Sequence, residues 1–247
     1  MADKPVEKYF VVVTNIDTLA AWNASKNANR ENPMNRQEIV KRIEESGIVA
    51  VLRLSSPENL NKIIAALARG GVRALEITMT TPNAVEIIRN ISKTLPSEFL
   101  IGAGTVLSPE AAREVIEAGA QFVVSPVFNP EVIRVAHGYD KAVLPGAFTA
   151  TEIFAAWQAG ADIVKVFPAT AVGPKYFKDI HGPLPQIKLT PTGGVTVDNA
   201  EEFIRCGAVC LGVGSALLDK QMIKNRDWVG LEANARAFKS AVDRGRR

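Results

Sequence analysis

Short β-branched apolar runs recur through most of this chain at a nearly fixed interval, and that rhythm limits what the chain can fold into. The runs are Ile48–Arg53, Ala74–Thr80, Phe99–Thr105, Gln121–Pro126, Ala142–Ala147, Ile163–Ala169, Ile187–Gly194 and Val209–Ser215, with starts 21 to 26 residues apart. That interval holds one strand, one helix and two short loops. Between the runs lie helix-start signals at Ser56-Pro57, Thr81-Pro82, Ser108-Pro109, Asn129-Pro130, Thr149 and Asp198. Proline suits a first helical turn because the N–H it lacks would have no partner there. Eight such units predict eight parallel strands, and continuous apolar runs suit strands buried on both faces. A (β/α)8 TIM barrel is the expected fold, with a doubly wound open sheet as the alternative.

Ahead of the first run, Asn35–Ser46 places Ile39, Val40 and Ile43 on one helical face and meets Gly47 as a stop. This predicts an N-terminal helix capping the bottom of the barrel. The residues before it read differently. Tyr9–Val13 resembles a short strand, Ile16–Trp22 a helical turn or two, and Asn23–Pro33 a polar linker. The expected division is an N-terminal extension, 1–33, and a barrel domain, 34–247.

Composition narrows the function. With 47% apolar and 22% charged residues the chain is not a disordered one. Lys+Arg 29 against Asp+Glu 26 gives +3, too near balance to announce a nucleic-acid partner. Much of that excess lies in the tail residues Arg244, Arg246 and Arg247, read as a solvated terminus. Two cysteines and two histidines supply neither a disulfide framework nor a good metal-ligand set. Cys206 and Cys210 read as a helix residue and a buried strand residue, His137 and His181 as surface residues, and Trp157 as helix-to-barrel packing. No apolar run approaches a membrane span, and the N-terminus lacks a signal peptide's basic start and apolar region. A soluble cytoplasmic protein with no membrane partner is expected.

Polar residues inside apolar strands mark the candidate site. Alternation groups Val49, Val51 and Arg53, then Glu76, Thr78 and Thr80, then Ile101, Ala103 and Thr105, then Ile163, Lys165 and Phe167. Arg53, Glu76, Thr105 and Lys165 can therefore all face inward, in the middle or at the C-terminal ends of strands, where barrels carry their active sites. Lysine is seldom buried. Lys165 is either a structural residue paired with a carboxylate or an amine that desolvation keeps neutral and nucleophilic. Glu76 is either that pairing carboxylate or an acid/base partner. Thr192-Gly193-Gly194-Val195 and Gly212-Val213-Gly214-Ser215 end consecutive runs, where barrels often bind phosphate through backbone N–H groups. A Cβ there would block the approach of an anion. Tight turns are the alternative reading.

Six segments together resemble the 2-keto-3-deoxy-6-phosphogluconate (KDPG) / 4-hydroxy-2-oxoglutarate (KHG) aldolases. They are Ile48–Arg53, Glu76-Ile77-Thr78, Gly102-Ala103-Gly104-Thr105, Lys165-Val166-Phe167-Pro168, Pro191-Thr192-Gly193-Gly194-Val195 and Gly214-Ser215. The similarity runs in order from about Met34 to the C-terminus and leaves 1–33 outside. The resemblance implies a homotrimeric barrel and a class I aldolase needing neither metal nor organic cofactor. It implies Lys165 as the Schiff-base lysine, Glu76 as general acid/base, Thr105 at the pyruvyl carboxylate, and Pro126 and Phe167 as pocket walls. Thr192, Gly193, Gly194 and Ser215 match the phosphate end, with Gly214 beside them. Some members carry a carboxylate-binding Arg shortly after the glutamate; here that position is Thr80. Others carry one at the end of strand one, which is Arg53 here, so Arg53 is the expected carboxylate clamp. The substrate implied is a phosphorylated keto acid, KDPG, split to pyruvate and glyceraldehyde 3-phosphate, with KHG as a further substrate. The galactonate-derived aldol, a non-catalytic phosphate-binding sensor or scaffold, and a metal-dependent epimerase barrel are the alternatives.

Overall fold

In a computed structural model of the chain, residues 34–247 are described. The readings of Tyr9–Val13, Ile16–Trp22 and Asn23–Pro33 lie outside these residues. The first helix, α1 (Arg36–Ser46), begins as its sequence requires. The Asn35 side chain accepts from Glu38 N while the Glu38 carboxylate accepts from Asn35 N, a reciprocal cap for N–H groups that lack helical partners. Gly47, at φ 71°, ends it in the left-handed region.

Strands and helices then alternate: β1 (Ile48–Leu52), α2 (Leu60–Arg69), β2 (Ala74–Thr78), α3 (Ala84–Thr94), β3 (Leu100–Gly104), α4 (Pro109–Glu117), β4 (Phe122–Val124), α5 (Pro130–Gly138) and β5 (Ala142–Leu144). After β6 (Gly146–Ala147) come α6 (Ala150–Gln158), β7 (Val164–Val166), a 3-10 turn (Ala169–Ala171), α7 (Gly173–His181), β8 (Leu189–Pro191), α8 (Val197–Arg205) and β9 (Leu211–Val213). Two helices, α9 (Lys220–Lys224) and α10 (Trp228–Gly245), complete the chain.

Every ladder is parallel, in a six-stranded sheet ordered β5-β4-β3-β2-β1-β9 and a three-stranded sheet ordered β6-β7-β8. Among the described residues nine strands stand where the rhythm predicts eight, because Pro145 interrupts the fifth run. Proline has no N–H to give a ladder, yet its carbonyl still accepts from Lys165 N at 2.9 Å. Isolated parallel bridges, Leu189 to Ala208 and Thr192 to Gly212, link β8 to the segments on either side of β9.

The core has two parts, one on each face of the strands. Ala50, Leu52, Leu75, Ile77, Ile101 and Ala103 pack outward against the helices. Val49, Ala74, Leu100, Phe122, Val124, Leu144 and Ile163 pack inward, joined by Ile39, Val40 and Ile43 of α1. These inner residues belong largely to the first half of each strand, so α1 covers the N-terminal end, as expected.

The basic tail is solvent-exposed, as read, yet tied down: α10 packs on α2 and α8, Arg244 Nε lies 2.7 Å from Glu201, and Arg246 donates to the Glu45 carbonyl at 3.1 Å. One sequence reading needs correcting here. Trp157 is 37% exposed and lies against Phe154 rather than inside the helix-to-strand layer. The two histidines, half-buried, each have a hydrogen-bonding partner, His137 with Asp162 and His181 with the Ile187 carbonyl.

Candidate active site

Glu76 and Lys165 face inward from the middle of their strands. Glu76 lies opposite Val51 of β1 and Gly102 of β3, and Lys165 opposite Gly146 of β6 and Thr190 of β8. They are 3% and 5% exposed, the two buried ionisable side chains among the described polar core residues. Glycine makes this possible at β3. A Cβ on Gly104 would collide with the Glu76 carboxylate, and one on Gly102 with the Phe122 ring. The strand is bare on its inner face so that a carboxylate and a phenyl ring can cross it.

Burial pushes the Glu76 carboxyl above its ordinary value, and the charges of Lys165 and Arg53 pull the other way without reversing the shift. A buried carboxyl shifted in this direction is a candidate proton carrier. Among the described residues neither Lys165, Glu76 nor Arg53 closes an ion pair. Lys165 Nζ instead lies 5.1 Å from the centroid of the Phe167 ring, which is 37% exposed. Pro126 backs onto Gly146, where any Cβ would strike it, and so stands beside the lysine's strand. Arg53 is exposed just past the end of β1.

The alternation argument fails at strand three. Ile101 and Ala103 pack in the outer core, so the inward residues are Leu100, Gly102 and Gly104. Thr105 lies past the strand end at φ 59°, in the left-handed region that disfavours a β-branched residue. Its place is set by a turn rather than by strand parity, and such strained backbone gathers at functional sites.

The glycine-rich segments differ from each other. Gly193 and Gly194 have φ of 89° and 73°, which only glycine adopts at little cost. A Cβ on Gly194 would lie 2.8 Å from Thr170 Oγ1, so the turn also packs on the 3-10 segment after Lys165. Thr192 is held by its N–H to the Val166 carbonyl, 3.0 Å away, and its hydroxyl presses on Gly212. A Cβ on Gly214 would meet nothing nearer than Val51, at 3.9 Å, so packing does not demand glycine there. Ser215 beside it is exposed.

Sequence reasoning gave no role to Gly104, Thr78, Thr81 or Thr170. Glycine at alternate positions, Gly102 and Gly104, was the available signal for the first. Thr78 and Thr81, 1% and 3% exposed, carry hydroxyls inside an apolar frame and differ from the exposed Thr80 between them. Among the described residues no three His, Cys, Asp or Glu gather into a metal site, and no helix is long and apolar enough to cross a membrane.

Known proteins resemble this chain in both sequence and structure. The family model described as "KDPG and KHG aldolase" matches residues 39–233. The chain is 37% identical over 196 residues to the 2-dehydro-3-deoxy-6-phosphogalactonate aldolase of Escherichia coli, covering 79% of this chain and 96% of that one. It is 36% identical over 194 residues to the 2-dehydro-3-deoxy-phosphogluconate aldolase of Pseudomonas aeruginosa, covering 78% and 87%. The crystal structure of KDPG aldolase from Legionella pneumophila, with pyruvate captured as a covalent carbinolamine intermediate, superposes with a TM-score of 0.75. That pair is 31% identical over 81% of this chain and 97% of the other.

Proposed function

Because the chain belongs to the KDPG and KHG aldolase family, we propose that Lys165 and Glu76 carry out Schiff-base cleavage of KDPG. As a member of that family the protein is an aldolase, a lyase. The observation that carries the reading is a buried lysine and a buried glutamate on the inner face of their strands with no ion pair between them; burial also pushes the Glu76 carboxyl above its ordinary value. The carbinolamine of pyruvate in the Legionella pneumophila enzyme supports the same covalent route.

The chemistry follows from these groups. Lys165, as the neutral amine, adds to the C2 carbonyl, and loss of water gives an iminium. The iminium accepts the electron pair of the C3–C4 bond when that bond breaks, leaving an enamine instead of a bare carbanion. Glu76 takes the C4 hydroxyl proton, through water, and returns a proton to C3 of the enamine. Hydrolysis then frees pyruvate and Lys165, while glyceraldehyde 3-phosphate leaves from the other half. Arg53 holds the pyruvyl carboxylate with Thr105, while Pro126 and Phe167 wall the pocket. Thr192, Gly193, Gly194, Gly214 and Ser215 take the phosphate. Neither metal nor organic cofactor has a step.

We also read residues 34–247 as a complete (β/α)8 barrel. Only Pro145 separates β5 from β6, and the two isolated bridges join β8 to the β9 region. A homotrimer suits the exposed Phe148, Phe154 and Trp157 on and beside α6, and a cytoplasmic place in sugar-acid breakdown completes the proposal. The 37% identity to a phosphogalactonate aldolase favours a second reading, in which the galactonate-derived aldol is the substrate. The ratio of kcat/KM for the two aldols decides between them. The test of the shared mechanism is borohydride with pyruvate, followed by intact mass and peptide mapping. A reduced pyruvyl adduct on Lys165 is expected, and an adduct on another lysine overturns the assignment.

A further inference from the structure

Arg53 projects from an irregular segment just past β1, where no ladder holds the backbone. A clamp for a carboxylate has to be held in place to favour one orientation of the substrate. The residues that hold it lie at the end of the next strand and in the turn after it. Leu54 N donates to Thr81 Oγ1 at 3.2 Å, and Thr78 Oγ1 donates to the Leu52 carbonyl at 3.3 Å. Thr78 and Thr81 Oγ1 are 3.3 Å apart, and Thr80 Oγ1 lies 3.0 Å from Thr78 Oγ1. One self-consistent order of protons runs from the Leu54 amide to Thr81, to Thr78 and to the Leu52 carbonyl. The amide after Arg53 and the carbonyl before it are thereby joined through two buried hydroxyls.

These threonines are themselves fixed. Thr81 N donates to the Thr78 carbonyl at 2.9 Å and Met79 N to the Gly104 carbonyl at 2.8 Å, so the turn after β2 is tied to β3. A hydroxyl pair buried in an apolar frame costs stability unless its bonds are made. Here those bonds converge on the two peptide units that flank one exposed arginine.

We infer that Thr81, acting with Thr78, is the positioning residue for Arg53, so that the turn after the strand of Glu76 sets the site's preference for a keto acid. The inference rests on the proposed role of Arg53 at the carboxylate. Thr81 touches no substrate. Its effect is confined to substrates whose carboxylate Arg53 grips.

The test uses the full chain and two carbonyl probes, pyruvate and its neutral methyl ester, each trapped on Lys165 by borohydride over a range of concentrations. Thr81→Val keeps the shape and removes the hydroxyl. The half-saturating pyruvate concentration should rise roughly tenfold, the scale of one lost hydrogen bond, while trapping of the ester is unchanged. Thr81→Ser should restore pyruvate affinity. In an Arg53→Leu background, Thr81→Val should add nothing further, because the two act as one unit. Equal losses for pyruvate and ester, or a full additional loss in the Arg53→Leu background, would mean that Thr81 only shapes the pocket. If Arg53→Leu itself affects pyruvate and the ester alike, the clamp assignment falls and this inference with it. Absence of any adduct on Lys165 in the unaltered protein instead overturns the aldolase mechanism, a different outcome from either.

Discussion

The strands present opposite chemistry at their two ends. At the N-terminal end α1 lays Ile39, Val40 and Ile43 on the inner core, and the charges around it are paired. Arg36 Nε is 3.5 Å from Asp162, His137 Nε2 is 3.3 Å from the same carboxylate, and Lys188 Nζ is 2.5 Å from Glu44. Arg36, Asp162, Glu44 and Lys188 border a cleft of about 400 Å³. From mid-strand toward the C-terminal end, Lys165 and Arg53 are close enough for their charges to act on Glu76, yet none of the three closes an ion pair with a described residue. What separates the ends is pairing: around α1 the charges are neutralised by their neighbours, and the charges left unpaired are the ones proposed to meet a substrate.

The sharpest way to break this comparison is to make the same conservative change at both ends. Lys165→Arg keeps a cation but removes the amine, since a guanidinium stays protonated. Aldol cleavage and pyruvate trapping should both fall to background. Lys188→Arg keeps its partner Glu44 and should leave turnover near that of the unaltered protein. Cleavage that survives Lys165→Arg would place the nucleophile elsewhere.

Carboxylates give the next largest effect. Glu76→Gln should fold and lose roughly 10² to 10⁴ in kcat, the usual scale for a general acid/base. Asp162→Asn should do the reverse. Asp162 accepts from Val143 N at 2.8 Å and faces both Arg36 and His137, so its loss should lower Tm and leave kcat of the folded protein nearly unchanged. Thermal melts beside steady-state assays separate the two, and a catalytic loss in Asp162→Asn would show that the ends are coupled.

The glycine turn sharpens the comparison within the C-terminal end. Gly194→Asp adds a side chain where Thr170 already crowds and a negative charge at the proposed phosphate site. Its kcat/KM for the phosphorylated aldol should fall roughly 10- to 100-fold more than for unphosphorylated KHG, the net worth of hydrogen bonds to a charged group. Proton exchange at the pyruvate methyl should persist, because pyruvate never reaches that turn. Equal losses on both aldols would make the glycines a matter of backbone shape alone.

How far the sequence spoke depends on what each residue answers to. Strand and helix positions were legible because period, Pro and capping side chains are local signals; Ser108, Asn129 and Thr149 each cap the helix they announce. Lys165 and Glu76 were legible because a charge in an apolar run is anomalous whatever surrounds it. Thr105 was misplaced because parity assumes an unbroken strand, and a residue at φ 59° leaves the alternation. Ser56-Pro57 and Thr81-Pro82 announce helices that begin only at Leu60 and Ala84, since each is first used in a turn. The Thr78–Thr81 network was invisible because its meaning lies in the two peptide groups it reaches on another strand.

The smallest expected effect is in stability, and its sign follows from the Glu76 proton. In the unfolded chain this carboxyl titrates near its ordinary value of 4.5, and burial raises it in the folded protein. Below the ordinary value both states are protonated, so Glu76→Gln, neutral and of the same shape, should match the unaltered protein in stability. As pH rises from the ordinary value through the folded one, the unfolded chain releases a proton that the folded chain retains. The unfolded state then binds fewer protons, and the free energy of unfolding falls with pH. Above the folded value the deficit is complete and constant. Glu76→Gln has no such slope, so its Tm should exceed that of the unaltered protein near neutral pH and converge with it in acid. Lys165 and Arg53 oppose this outcome, because each attracts the carboxylate that the variant lacks. Melts of both proteins across the acid range decide the matter. A Tm for Glu76→Gln below that of the unaltered protein at neutral pH would mean that the cations outweigh desolvation. The active-site charges would then be paired for stability, like those around α1.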